Sequence, residues 1–302
     1  MKFTFETQLS VLPPYRLDLT VDALRRLAAN VVDVVAEDGV YRRVLSDQHG
    51  SNLIEVVQPG AKSVTVRIAG RDGARWLAVV ERMLGLHVRL DDWYARVKPF
   101  PWLAFLTREL KGLRPPQYPL LWEALAHAIV FQQISIYAAA AIMKRVIETL
   151  SEPVTHGGQR YFPFFLPVTV LAAPEKRLRA AGLSGNKVAH LRSAAAAILD
   201  EMVTEESLRV LPSAQAAQRL TVVRGIGAWS AAVILLRGLG RLDVFPMKDS
   251  GVARSIKMLS GNTDINTHEL LEELGPVRGM LYYHLLLGST RKLVPSYEEA
   301  GI

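Results

Sequence analysis

Residues 220–251, LTVVRGIGAWSAAVILLRGLGRLDVFPMKDSG, constrain the fold more than any other stretch of the chain. A Gly225-Ile226-Gly227 turn separates two helix-like runs, and Asp249 follows downstream. Glycine permits φ > 0 and close backbone approach. Pro212-Ser213 starts the first run, whose apolar positions are Ala216, Ala217, Leu220 and Val223. In the second run Trp229, Ala232, Val233 and Leu236 fall at i, i+3, i+4 and i+7, one helical face. A tight turn that opens a helix points free N–H groups outward at a positive helix end, a geometry that suits a phosphate. Arg224 adds a cation at that turn. Asp249 lies in PMKDSG, just ahead of the helical run 252–259, where an N-cap is expected.

The chain has 302 residues, half of them apolar, enough for one large or two medium domains with a sizeable core. Its net charge is +7, most of the excess lying in residues 111–302, a balance compatible with a polyanionic partner. It has no cysteine, which excludes disulfides, thiolate zinc sites and an iron–sulfur cluster. The seven histidines are scattered without metal-site spacing. No apolar run is long enough to span a bilayer, and MKFTFE lacks a signal-peptide core. These features indicate a soluble, cytoplasmic protein with no membrane partner; a monomer is expected.

Residues 2–9 alternate as a half-buried strand. A helix with Thr20 as its cap follows to about residue 29. Strand-like runs then cover 30–36, 40–46, 52–57 and 63–68, separated by turn signals such as Glu37-Asp38-Gly39 and Pro59-Gly60. Residues 72–84 give a second helix. Residues 1–88 thus form a small α+β domain, an antiparallel sheet backed by two helices. Residues 89–117 are a connector, helical over 91–110 and then proline-rich, with Trp93, Val97, Trp102 and Phe105 as buried candidates. From 118 to 302 the chain is mostly helical, with a loop at 151–168, the hairpin at 213–238 and the Asp249 loop at 243–251.

The hairpin LTVVRGIGAWSAA, the loop DVFPMKDSGV and an upstream Gln132-Gln133-Ile134-Ser135 together resemble the helix-hairpin-helix (HhH-GPD) DNA glycosylase superfamily, most of all its AlkA-type 3-methyladenine DNA glycosylase II branch. The resemblance covers roughly residues 118–287. It implies a TBP-like α+β N-terminal domain followed by an all-α glycosylase domain. It also implies a base excision repair enzyme that flips alkylated bases out of damaged double-stranded DNA and hydrolyses the N-glycosidic bond. No cofactor is required, and relatives' iron–sulfur cluster is impossible here.

By resemblance Asp249 is the catalytic carboxylate, stabilising oxocarbenium character on the sugar. Trp229 lines the base pocket, in the place where other branches carry a nucleophilic lysine. Lys248 lies beside Asp249 and would contact phosphate or pair with that carboxylate. Gln133 fills the gap left by the extruded nucleotide. Gln132 stands at the pocket supporting the catalytic loop, and Arg278 supports the pocket from the downstream Pro-x-Arg motif. Arg224, Gly225, Ile226 and Gly227 meet the DNA backbone. The carbonyls of Thr221, Val223 and Gly225 would hold a Na+ or K+ ion. Val233 and Ser250 stand where some members of the branch have aromatics.

Read without the resemblance, Asp249 is a structural N-cap, Trp229 a core aromatic and Lys248 a solvated loop residue. Gln132 and Gln133 are then internally bonded, and Arg278 is a surface arginine. Two other functions stay open: an oxidised-purine or bifunctional glycosylase using Lys248, and a non-catalytic helix-hairpin-helix DNA-binding protein. Trp229 carries no amine, so borohydride added to the protein with damaged DNA should trap no covalent adduct. A trapped adduct would move the chemistry to Lys248.

Overall fold

The computed structural model describes residues 2–261 and 265–296. Its N-terminal part is a five-stranded antiparallel sheet in the order β1-β5-β4-β3-β2. The strands are β1 (Phe5–Ser10), β2 (Val34–Val35), β3 (Tyr41–Asp47), β4 (Gly50–Gly60) and β5 (Ser63–Ala69). Alternation sets the buried face: Val64, Val66 and Ile68 of β5 are buried and stand opposite Leu9, Thr7 and Phe5 of β1. Helices α1 (Leu17–Arg25) and α2 (Leu77–Met83) accompany the sheet.

Four segments depart from the sequence reading, each for a local reason. The strand expected over 30–36 shrinks to Val34–Val35, because Asn30 Oδ1 accepts from the N–H groups of Val32 and Asp33 and turns the chain. Helix α1 starts at Leu17, so Thr20 is no cap; its hydroxyl donates to the Arg16 carbonyl one turn back. The helix expected over 91–110 breaks into α3 (Asp91–Arg96) and α4 (Pro101–Glu109), since Pro101 can only begin a helix here. Within it Phe105 is half-exposed under Arg108. The loop at 151–168 contains a hairpin of β6 (Val154–His156) and β7 (Gln159–Tyr161) around Gly157-Gly158.

The helical part begins with α5 (Leu121–Val130) and α6 (Ile136–Leu150). Then come α7 (Pro167–Ala172), α8 (Glu175–Ala180), α9 (Gly185–Leu199), α10 (Glu205–Arg209) and α11 (Ser213–Leu220). The chain closes with α12 (Ala228–Leu239), α13 (Ser250–Leu259), α14 (Thr267–Leu274) and α15 (Gly279–Arg291). Helix α10 escaped the sequence reading, although Thr204 and Ser207 form its capping box. Every residue of α5 is buried, as an apolar helix wrapped on all sides requires. Helix α12 crosses it closely: a Cβ at Gly238 would lie 2.6 Å from the Ala124 methyl. One core runs from the sheet through α5 to α9 and α12. A second joins α3 and α4 to α13, α14 and α15 through Trp93, Trp102, Leu106 and Leu259.

Two buried arginines tie the sheet region to the helices. Arg43 of β3 donates to Asp33 at 2.6 Å and to Glu123 of α5. Arg237 of α12 donates to the carbonyls of Ala23 and Leu24 at 3.1 and 2.9 Å, capping the end of α1. Its guanidinium also lies over the ring of Tyr118. Removing either partner would strand a buried charge.

His284 is buried beside Trp93, and burial pulls it from its ordinary 6.5 down to about 4. It therefore stays neutral in the folded state while the unfolded chain takes up a proton below 6.5. Its contribution is fully present above pH 6.5 and is lost as the pH falls towards 4. Buried Glu123, pushed up to about 7, acts with the opposite sign as the pH rises from 4.5 to 7. Replacing His284 by Gln should remove roughly 3 kcal/mol of the acid sensitivity between pH 7 and pH 4. Thermal unfolding of the two proteins across that range checks this.

Candidate active site

The hairpin is anchored from below. Val223 and Ile226 are buried, and the Ile226 N–H donates to the Val223 carbonyl at 3.0 Å. Gly225 sits at φ +91, and a Cβ there would lie 2.3 Å from the His190 ring of α9. Both the backbone angle and the space demand glycine. Gly227 differs from the sequence expectation: at φ −96 it caps α12 in ordinary extended backbone, with open space where a side chain would go. Arg224, Gly227 and Ala228 are exposed, so the first N–H groups of α12 open on solvent beside a cation.

The same turn carries the three carbonyls expected to hold an alkali ion. Gly225 O accepts from Gln132 Nε2 and Val223 O from the Ile226 N–H. Each of these two carbonyls keeps a second lone pair.

Helix α12 delivers Trp229, in its first turn, to Asp249. The loop between α12 and α13 is pinned at its start by Arg241, which donates to the carbonyls of Leu208, Arg209 and Leu211. Phe245 and Pro246 are buried, while Met247 and Lys248 are exposed, Lys248 at φ 60. Asp249 then caps α13: its Oδ1 accepts from the N–H groups of Gly251 and Val252 at 2.8 and 3.2 Å. Its Oδ2 accepts from the Trp229 indole N–H at 3.0 Å. The carboxylate is thus fixed by three N–H donors from two elements, half-buried and still open to solvent. The cap reading of Asp249 is met, and the same side chain binds the Trp229 indole N–H.

Other candidates are placed less directly. Gln132 reaches the hairpin and not the Asp249 loop: its amide nitrogen donates to Gly225 O at 2.8 Å and to Ser230 Oγ at 2.7 Å. Gln133 is exposed at φ 56, the tip of the turn between α5 and α6, with Ile134 and Tyr137 exposed beside it. Arg278 donates to the carbonyl of Gly275 in its own turn at 2.7 Å. The neighbouring Gly279 N–H donates to Leu242 O, so that turn abuts the start of the Asp249 loop. Among the described residues Lys248 makes no ion pair with Asp249.

Two positioning residues on α9 were missed. Lys187 Nζ donates to Val130 O at 2.6 Å and to Gln132 O at 3.0 Å, capping the C-terminal end of α5 with a cation. Burial lowers its pKa. His190, one turn on, walls the hairpin at Gly225. Ser184 caps α9 through the Lys187 N–H, which fixes where the helix begins but not what it abuts.

Residues 126–277 match the family described as HhH-GPD superfamily base excision DNA repair protein. The chain is 25% identical over 244 residues to a DNA-3-methyladenine glycosylase of Bacillus subtilis, covering 78% of this chain and 80% of that one. The 3-methyladenine DNA-glycosylase structure from Archaeoglobus fulgidus superimposes with a TM-score of 0.79 over 94% of this chain and 98% of its own, at 23% identity. An 8-oxoguanine glycosylase/lyase from Clostridium acetobutylicum, in complex with double-stranded DNA, shares the fold with a TM-score of 0.74, at 16% identity over 97% of this chain and all of that one.

The two hairpin glycines predict different tolerances. Gly225→Ala should cost about 2 kcal/mol or more, because the backbone angle and the His190 contact both oppose it. Gly227→Ala should stay within roughly 1 kcal/mol. Chemical denaturation of the two variants separates them.

Proposed function

The chain belongs to the HhH-GPD superfamily of base excision DNA repair proteins, and from that premise we propose that it is a monofunctional DNA glycosylase excising alkylated bases, such as 3-methyladenine, from duplex DNA. The names of its relatives support the substrate class. The observation that carries the mechanism is the Asp249 carboxylate, held by the Trp229 indole and two backbone N–H groups.

Duplex stacking hides the glycosidic bond, so the nucleotide must be extruded, at a cost of a few kcal/mol that damage reduces. The N–H groups at the start of α12 and the Arg224 side chain bind backbone phosphate. Gln133, on its exposed turn, fills the vacated place in the stack. An alkali ion at the Thr221, Val223 and Gly225 carbonyls would add positive charge facing that phosphate.

The C1′–N bond then breaks with its electron pair going to the base, and positive charge builds on the sugar. The Asp249 anion stabilises that charge and takes the proton of the attacking water, whose oxygen bonds to C1′. A cationic alkylpurine leaves as a neutral base, so a strong general acid is unnecessary. Trp229 offers no amine, and its ring face attracts a flat cationic base. The product is an abasic site in an unbroken strand. Among the described residues no helix is long and apolar enough to cross a membrane, and we place the protein with the DNA inside the cell, as a monomer.

Asp249→Asn keeps the size of the side chain and removes its charge. It should retain binding to damaged duplex and lose base release by about a hundredfold or more. Single-turnover release of free base from methylated DNA checks it, and unchanged turnover refutes the assignment.

A further inference from the structure

Helix α5 ends at Val130, and the last carbonyls of a helix need donors from outside it. The Phe131 N–H bonds His127 O at 3.0 Å, and the Gln132 N–H bonds Ile129 O at 3.4 Å. Val130 O and Gln132 O are met by one ammonium, Lys187 Nζ, at 2.6 and 3.0 Å. Between these two carbonyls Phe131 packs under the Arg26 guanidinium, 4.9 Å from the centre of its ring. The ammonium is carried on a firm base. The Lys187 N–H donates to the Ser184 hydroxyl that caps α9, and the next residue, Val188, is buried in the core.

Gln132 O belongs to the peptide unit that ends in the Gln133 N–H, and the atoms of one peptide unit are coplanar. Holding that oxygen fixes the direction in which the chain enters Gln133. The side chain of Gln132 is held separately, by Gly225 O and Ser230 Oγ. Gln133 lies at φ 56, a left-handed conformation that is costly for a residue with a Cβ, and its side chain is exposed. The exposed glutamine thus stands in a strained turn whose preceding peptide is held by a charged group from another helix.

We propose that Lys187 is a positioning residue for nucleotide extrusion. The inference rests on the reading of Gln133 as the side chain that fills the vacated place in the stack. With its turn already fixed, Gln133 enters the duplex without giving up backbone freedom at that moment, so the extruded state costs less. Without the ammonium, Val130 O and Gln132 O turn to water and the strained turn relaxes. Asp249 keeps its three N–H donors either way, since none of them comes from Lys187. The loss therefore falls on extrusion and not on bond breaking.

The test is single-turnover release of 7-methylguanine from two duplexes. In one the damaged base is paired with cytosine. In the other it sits in a one-nucleotide bulge, where no base opposite is orphaned and extrusion costs little. Lys187→Met keeps the length and loses the donors. It should slow release from the paired duplex about tenfold and leave the bulged duplex within about twofold of wild type. Gln133→Ala should show the same pattern, and the double variant should be no slower than the slower single one. Lys187→Arg, which keeps the charge and the donors, should recover the paired rate. Partial unfolding lowers both duplexes alike, so the paired-to-bulged ratio carries the result. An equal loss on both duplexes, or none, overturns the role of Lys187 and leaves the enzyme reading intact. Gln133→Ala without a loss specific to the paired duplex overturns the reading of Gln133 on which the role depends. Wild-type protein that releases neither 7-methylguanine nor 3-methyladenine overturns the glycosylase reading itself.

Discussion

The Gln132 amide nitrogen has two hydrogens, and both are committed: one to the Gly225 carbonyl, one to the Ser230 hydroxyl. That clamp joins the end of the buried helix α5 to the hairpin and to the first turn of α12. Trp229 is next to Ser230, and its indole holds Asp249. Lys187 fixes the clamp from the other side by bonding the Gln132 carbonyl. The position of one carboxylate thus follows from a short chain of hydrogen bonds rooted in a helix with no solvent-facing side. Each bond is worth only about 1 kcal/mol in net stability, but leaving such a polar group unpaired costs more.

The sheet contributes to this order through buried charge. Arg43 and Arg237 each take a cation out of water, a desolvation that only good hydrogen bonds offset. Arg43 has Asp33 and Glu123, while Arg237 has two carbonyls and the faces of aromatic rings. Hydrophobic contact alone would let two packed layers slide. Directional bonds to buried guanidinium groups fix one docking.

What the sequence made legible was local. The turn at Gly225 and the cap at 249 are set by neighbours within a few residues, so spacing alone finds them, whereas α12 is buried on nearly all sides and not on the one face that its spacing suggested, with Trp229 and Ala232 only half-buried. The sheet was legible because its strands alternate, and turn residues mark their ends. Thr20 misled because a hydroxyl can cap a helix or bond back within one, and only the chain before Leu17 decides which. Lys187 and His190 were invisible for a different reason: each acts on residues far away in sequence, through bonds or contacts that no periodicity encodes. The destination of the Gln132 amide, the hairpin and not the catalytic loop, was hidden in the same way.

Phe131, Gln132 and Gln133 are consecutive, yet they serve three directions: inward beneath Arg26, sideways to the hairpin, and outward to solvent. Deleting a single amino acid there would do more than shorten a connection. Each side chain would inherit its neighbour's heading, with an amide driven under the guanidinium and a phenyl ring swung towards the turn glycine. Changing the chemistry of one of these three positions is therefore a smaller disturbance than changing their number.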